Sequence, residues 1–250
     1  MKPIYFHPTS THAAKFFTTL SMMAVLACSA YGESVAKVPF DLPKFQPILS
    51  ECRLHSPSTS PATVKAGKFE GFELPGRFYL GEGGKTMVLG TTKIGPDRSE
   101  LRHNVTWKFS GEEKRYSARL RVDKPVAVEG GRKLKTHIFQ IYGAGKKKKV
   151  DKGPMVLVTA QASGNFSYYM RGASRGDLCP IPEGFFNLDV TVKDAIVKIF
   201  INDELKAEGD LSKLANVSAF FKTGTYQKNV EPSKVEFESL SITVGVPKKP

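Results

Sequence analysis

The chain has 250 residues, with 37 lysines and arginines against 24 acidic residues, and a formal net charge of +13. Hydrophobic residues make up 40% and charged residues 24% of the chain, which is a globular composition with enough length to bury a core. Three cysteines are too few for a disulfide-rich scaffold or a multi-cysteine zinc site. The histidines and cysteines also lack metal-ligand spacing, so we expect neither a metal nor another cofactor.

The start of the chain has the pattern of a secretory signal peptide, residues 1–32. A charged opening leads into an apolar run too short to span a bilayer, and small residues follow in Ala30-Tyr31-Gly32. We expect cleavage near this point, leaving residues 33–250 as a single secreted or periplasmic domain. The alternatives are a buried N-terminal helix and a lipid anchor on Cys28, which follows a weak lipobox.

Two cysteines, Cys52 and Cys179, belong to the predicted exported domain. In an oxidising compartment they could pair as a disulfide bridge, and two separate buried thiols are the alternative. No segment after the leader is long and apolar enough to cross a membrane.

The excess positive charge favours a polyanionic partner such as nucleic acid, an anionic membrane or an acidic polysaccharide. Export argues against nucleic acid, and a generically basic surface is the alternative reading. The run Lys146–Lys149 lies next to glycines and is typical of a solvated loop.

Period-two alternation recurs along the chain, and no segment has a sustained helical stripe. It predicts strands over residues 119–123, 155–158, 186–192, 195–201 and 235–242. Turns are expected at Lys193-Asp194 and Asn202-Asp203, and a single helical turn at Asp210–Leu214. Short strands separated by turn residues predict an all-β sandwich or jelly roll, with residues 33–60 as an irregular opening segment.

One predicted strand, R-S-E-L-R, places three charged side chains on one face. Arg98, Glu100 and Arg102 point to the same side, while Leu101 points to the other. The planar fork of an arginine suits carboxylate groups. Glu100, between two arginines, is better suited to an ion pair than to the role of a catalytic acid.

Two further strands carry hydrogen-bonding side chains with the same alternation. Gln140 and Tyr142 share a face in F-Q-I-Y-G, with Ile141 turned to the core. The segment F-F-K-T-G-T-Y-Q-K predicts a third polar face, formed by Lys222, Gly224, Tyr226 and Lys228. A glycine within such a face leaves room for a ligand to approach.

The three motifs R-S-E-L-R, Q-I-x and F-K-x-G-x-Y, in that order over residues 98–229, resemble the alginate lyases of polysaccharide lyase family 7. The resemblance implies a concanavalin-like β-jelly roll whose concave sheet forms a groove for an anionic sugar. It implies that Arg98 and Arg102 are groove arginines, that Gln140 binds the substrate carboxylate, and that Tyr226 is the catalytic tyrosine.

The chain departs from the family pattern at two positions. Tyr142 occupies the place of the catalytic histidine in Q-I-H, and Lys228 the place of a glutamine. We place Tyr142 with the catalytic residues, and Glu100, Lys222 and Lys228 with the substrate-binding residues.

Three histidines remain in the predicted domain, His55, His103 and His137. Strand alternation turns His103 and His137 away from the motif faces. We therefore expect packed or solvated histidines rather than a substitute for the one missing at position 142.

The resemblance implies β-elimination, in which the C6 carboxylate is neutralised, C5 loses a proton and the leaving O4 gains one. In mannuronate and glucuronate, H5 and O4 lie on the same side of the ring, so one tyrosine can serve as base and then as acid. Guluronate, where they lie on opposite sides, needs two groups. Without a histidine at position 142, we expect cleavage of mannuronate-rich alginate or a glucuronate-containing polymer, giving 4,5-unsaturated ends.

Two other functions are consistent with the sequence. A catalytically inactive module of the same fold that binds acidic polysaccharide would also lack the histidine. A nucleic-acid or heparin binder rests on charge alone, and the alternation of basic residues with Gln and Tyr argues against it. We expect an acidic polysaccharide as partner, no nucleic acid, and a monomer.

Overall fold

A computed structural model describes residues 36–57, 62–127, 135–145, 151–228 and 230–245. The chain divides into two units, Met1–Ser34 and Val35–Pro250, and every described residue belongs to the second. The predicted signal peptide, Cys28 and the Lys146–Lys149 run lie outside the described residues. No helix in the described ranges has the length and apolar character needed to cross a membrane.

The described residues form mostly β-strands. The strands are β1 Cys52–His55, β2 Phe78–Leu80, β3 Met87–Gly90, β4 Asp97–His103, β5 Trp107–Lys108, β6 Lys114–Val122, β7 Lys135–Ala144, β8 Lys152–Gln161, β9 Asn165–Met170, β10 Arg175–Pro180, β11 Phe186–Lys193, β12 Ile196–Ile201, β13 Glu204–Asp210, β14 Ser218–Lys228 and β15 Lys234–Val244. The helical segments are α1 Gln46–Glu51 and the 3-10 turns Pro39–Asp41, Glu82–Gly84 and Ser212–Leu214.

The predicted all-β sandwich is confirmed. One antiparallel sheet has eight strands in the order β1-β4-β14-β7-β8-β9-β10, with β5 added against β14, and the other has seven in the order β13-β12-β11-β6-β15-β3-β2. Side chains of the two sheets meet in a single core, where the Tyr116 ring of β6 lies 4.6 Å from the Phe139 ring of β7. This core covers one face of the eight-stranded sheet and leaves the motif side chains on its outer face.

The predicted strands correspond to β6, β8, β11, β12 and β15. The hairpin between β11 and β12 turns at Asp194 and Ala195, both with positive φ, one residue later than predicted. Asn202 and Asp203 make the next turn as expected. The backbone N–H of Ser212 donates to the Asp210 carboxylate at 2.7 Å, which starts the predicted helical turn.

The expectation of an irregular opening segment over residues 33–60 was wrong. This segment contains α1, whose Ile48 and Leu49 are buried, and β1, whose Leu54 is fully buried. A helix of six residues and a strand of four are too short to give a readable period. The consequence for the site is large, because β1 adds an edge strand beside the R-S-E-L-R strand.

The Cys52–Cys179 bridge does not form, and both cysteines are free thiols. Cys52 lies on β1 and Cys179 on β10, which are the two edges of the eight-stranded sheet. Six strand spacings of about 4.8 Å each separate them, whereas a disulfide needs Cα atoms within about 7 Å. The alternative of two separate thiols is therefore the correct one.

A β-bulge in β14 controls which side chains share the outer face. The register between β14 and β7 shifts between Thr223 and Tyr226, and Gly224 within this shift has φ of 127°. A Cβ at Gly224 would clash with the carbonyl oxygen of Ser99 and lie 3.0 Å from the Cα of Glu100. Only glycine fits a position that combines positive φ with so close an approach of the neighbouring strand.

Replacing Gly224 with alanine is expected to lower the free energy of unfolding by about 2–4 kcal/mol, because it adds both overpacking and backbone strain. The control is Gly111→Ala, where φ is 77° but no atom lies within 4 Å of the added Cβ, so strain alone costs about 1 kcal/mol. Chemical denaturation measures both, and equal losses would show that the approach of β4 does not constrain position 224.

Candidate active site

A buried carboxylate lies at the centre of the motif face. Glu100 is 1% exposed. Its Oε2 accepts a hydrogen bond from Nζ of Lys222 at 2.5 Å and lies 3.4 Å from Nη1 of Arg98, while its Oε1 accepts one from the amide of Gln140. A buried charge is tolerated only with such partners. The expected ion pair at Glu100 is thus confirmed, and it joins three strands at one point.

Cross-strand pairing brings the predicted site residues to the same surface. Two rows of side chains cross β4, β14 and β7: Arg102, Lys222 and Gln140 in one row, and Arg98, Tyr226 and His137 in the other. Directly paired residues point to the same side of a sheet. The side chains of the three sequence motifs therefore share one face, as predicted.

The two arginines are each held against an aromatic ring. The guanidinium carbon of Arg98 lies 4.1 Å from the centre of the Tyr226 ring, and that of Arg102 lies 3.9 Å from the centre of the Phe220 ring. Such stacking fixes the plane of the guanidinium fork. Nζ of Lys228 lies 5.5 Å from the Tyr226 ring, so two cations flank the phenol.

Strand alternation predicted that His137 faces away from the site, and this prediction was wrong. Its ring centre lies 5.6 Å from that of Tyr226, because the bulge at Gly224 and a register shift after His137 in the pairing with β8 move it onto the motif face. Its Nδ1 is hydrogen-bonded to the Thr159 hydroxyl at 2.9 Å. Burial, and then three nearby lysines, lower the pKa of His137 to about 3.

A cavity of about 400 Å³ opens on this face beside β1. The side chains in its lining that are able to bind an anion or transfer a proton include His55, Arg98, Arg102, Tyr142 and Lys222. Tyr142 also packs on Phe220, with ring centres 5.7 Å apart. The cavity therefore brings Tyr142 of β7 together with an imidazole from another strand, β1.

His55 is a site residue that sequence reasoning missed, because its strand was not recognised. It is 4% exposed, and its Nδ1 is buried without a hydrogen-bond partner among the described residues. Burial lowers the pKa of His55 to about 3, assisted by Lys222 and then three arginines. Burial likewise lowers the pKa of Lys222, although the paired Glu100 carboxylate opposes this shift.

The same face continues across β8, β9 and β10 as a second cavity of about 680 Å³. It is lined by polar and aromatic side chains that include Lys135, Thr159, Tyr169, Arg175 and Asp177. The remaining histidine, His103, points elsewhere and its Nε2 lies 2.9 Å from Glu51, which agrees with the expected packed role. The described ranges contain no cluster of His, Cys, Asp and Glu able to hold a metal ion.

A comparison with known families shows which family the chain belongs to. A family model described as alginate lyase matches residues 47–244, which include every strand that carries a motif. The chain belongs to the alginate lyase family. No curated protein matches the sequence.

Solved alginate lyases share the fold of this family member at low sequence identity. The structure of alginate lyase AlyC3 is 16% identical with a TM-score of 0.73, covering 84% of this chain and 96% of that one. Alginate lyase AlgAT5 from polysaccharide lyase family 7 is 14% identical with a TM-score of 0.66, covering 84% and 99%. The alginate lyase from Corynebacterium sp. is 13% identical with a TM-score of 0.66 and the same coverage.

Replacing Glu100 with glutamine is expected to lower the free energy of unfolding by about 3–5 kcal/mol, because Lys222 would be left as a buried, uncompensated charge. The control is Glu238→Gln, which removes an exposed ion pair with Arg119 and should cost less than about 1 kcal/mol. Urea denaturation compares the two variants. If Glu100→Gln lowers the free energy of unfolding no more than Glu238→Gln does, the central role of the Glu100 carboxylate is contradicted.

Proposed function

We propose that this alginate lyase family member is an active lyase that cleaves mannuronate-rich alginate, or a glucuronate-containing polymer, by β-elimination to leave 4,5-unsaturated ends. The proposal rests mainly on the contact between Arg98 and Tyr226, in which the guanidinium lies over the phenol ring. Arg98 also lines a cavity together with Arg102. A carboxylate-binding cation and a proton-transferring phenol are thus held in direct contact.

The first requirement of the reaction is neutralisation of the C6 carboxylate, which makes the C5 proton removable. Arg98 and Arg102 supply two guanidinium groups to the same cavity, and stacking fixes their planes before substrate binds. Preorganised donors of this kind are the largest catalytic contribution in many enzymes. Gln140 gives one amide hydrogen bond to Glu100, and its second N–H is the donor proposed for the sugar acid.

The second requirement is a proton carrier, and Tyr226 fits that role. The Arg98 guanidinium and the Lys228 ammonium group both lie close to its ring, so negative charge that develops on the phenol is favoured by two nearby cations. In a syn elimination the deprotonated form of this oxygen takes H5 and then gives the same proton to O4, which returns the phenolate to its starting state. His137, neutral and in ring contact with Tyr226, positions the phenol from the next strand.

Two buried residues predicted to bind substrate, Glu100 and Lys222, have a supporting role in this proposal. Glu100 and Lys222 are buried as an ion pair, so the charge of each is neutralised by the other rather than by a polymer. Their ion pair holds Arg98 and Gln140 in place. Lys228, nearer the surface, contacts the sugar acid or its neighbour as a point charge.

The preference for mannuronate or glucuronate rests on the tyrosine at position 142. One structural relative, AlyC3, was solved in complex with dimannuronate, which supports a mannuronate substrate for this fold. The proposal includes export through the N-terminal leader and action as a monomer on an extracellular or periplasmic polysaccharide.

Wild-type protein is expected to cleave polymannuronate or glucuronan faster than polyguluronate, because only the first two permit syn elimination by a single tyrosine. Initial rates on the three purified polymers, read as absorbance of the unsaturated product, test this. Faster cleavage of polyguluronate would refute the stated preference.

Tyr226→Phe is expected to reduce turnover by about 100-fold or more, the usual size of a general acid–base contribution, while leaving oligouronate binding within about threefold. The matched control is Tyr79→Phe, which removes a phenol hydroxyl from β2 of the other sheet and should change neither. If wild-type protein binds a polyuronate but yields no unsaturated product from any of them, the inactive binding module is the correct function instead.

A further inference from the structure

We propose that His55 is a second catalytic residue of this site, which supplies from β1 the imidazole that position 142 lacks and extends cleavage to guluronate. The inference rests on the proposed lyase function and deepens it. It adds a slower anti elimination to the faster syn reaction carried out by Tyr226.

The first observation is an unused hydrogen-bonding atom in the substrate cavity. Nδ1 of His55 is buried and makes no hydrogen bond within the described part of the chain, although the side chain lines the cavity with Arg98 and Arg102. Leaving such an atom unpaired costs about 1–3 kcal/mol. A sugar bound to the arginines would bring the missing partner to this imidazole.

The second observation is the placement of His55 relative to Tyr226. β4, which carries both arginines, lies between β1 and β14. His55 pairs with Glu100 from one side, and Tyr226 pairs with Arg98 from the other. Two strand spacings, about 10 Å, separate the flanks, so a pyranose that stands edge-on over β4 would have an imidazole toward one ring face and a phenol toward the other. Two groups on opposite sides are what guluronate requires.

The charge state of His55 suits a base. Burial and then the cations Lys222, Arg102, Arg53 and Arg98 hold its pKa near 3 in the unliganded protein, so the imidazole is neutral and has a lone pair to offer. The bound uronate carboxylate offsets part of this positive field. That offset moves the pKa of His55 upward, toward the range of an effective base, when substrate is bound.

The proposed step balances without any further reactant. The imidazole of His55 takes H5, and the electrons of the C5–H bond form the C4–C5 double bond while the C4–O4 bond breaks. The Tyr226 hydroxyl gives its proton to the departing O4. Solvent then removes the proton from His55 and restores the one on Tyr226, so the enzyme returns to its starting state.

The other two candidates for this base are less well placed. His137 lies on β7 in ring contact with Tyr226, on the same flank as the phenol, and its Nδ1 is already bonded to Thr159. Tyr142 lines the cavity but packs against Phe220, and it lies on β7, on the same side of β4 as Tyr226.

The test compares His55→Gln with wild type on polyguluronate and polymannuronate, with His103→Gln as the matched control. His103 is a buried histidine of the adjacent strand that lines a different cavity, with Glu51 and Trp107. His55→Gln is expected to lower the polyguluronate rate by about 100-fold or more and the polymannuronate rate less than about fivefold. His103→Gln should leave the ratio of the two rates unchanged.

The ratio of the two rates keeps the test valid if a variant is partly unfolded, because a loss of active protein lowers both rates equally. If the wild type cleaves polymannuronate but gives no product from polyguluronate, the proposed role of His55 is overturned and the proposed lyase function is not. An unchanged ratio in His55→Gln would do the same. Absence of unsaturated product from every polymer would instead overturn the proposed lyase function.

Discussion

The buried Glu100 carboxylate is the interaction on which the rest of the site depends. Lys222, Arg98 and Gln140 each donate to it or pair with it, and they come from three neighbouring strands that are distant in sequence. None of these groups could be buried alone without a penalty of several kcal/mol. The catalytic face is therefore assembled around one charge that does not itself need to contact the substrate.

A second constraint comes from the backbone at Gly224. The bulge there lets β14 approach β4 closely. It also shifts the register between β14 and β7, which changes which side chains of the two strands point to the same face. The side chains of Tyr226 and His137 share a face only because of this change. Catalytic geometry in this fold is therefore set partly by a residue with no side chain, and the sequence contains that information as a glycine inside an otherwise regular strand pattern.

The all-β fold and the motif faces could be predicted because strand alternation and paired charges are local signals. Predictions from the sequence failed where the structure depends on pairing between distant parts of the chain. β1 is four residues long, and only its pairing with β4 identifies His55 as part of the site. The positions of Cys52 and Cys179 on opposite sheet edges follow from strand order, which spacing along the chain does not give. Bulges are equally hard to read from alternation, as in β15, where the register shifts between Phe237 and Ser239.

The cations of this face have two effects that follow from the same electrostatics. In the proposed function they attract and neutralise a sugar carboxylate, and they assist burial in holding His55 and His137 in the neutral form. A neutral imidazole contributes no charge repulsion to an already cationic cavity, so a histidine can be accommodated on β1 as readily as on β7. A tyrosine at position 142 is therefore compatible, in the proposed mechanism, with proton transfer by an imidazole from another strand. What matters is whether an imidazole from any strand reaches the side of the sugar opposite Tyr226.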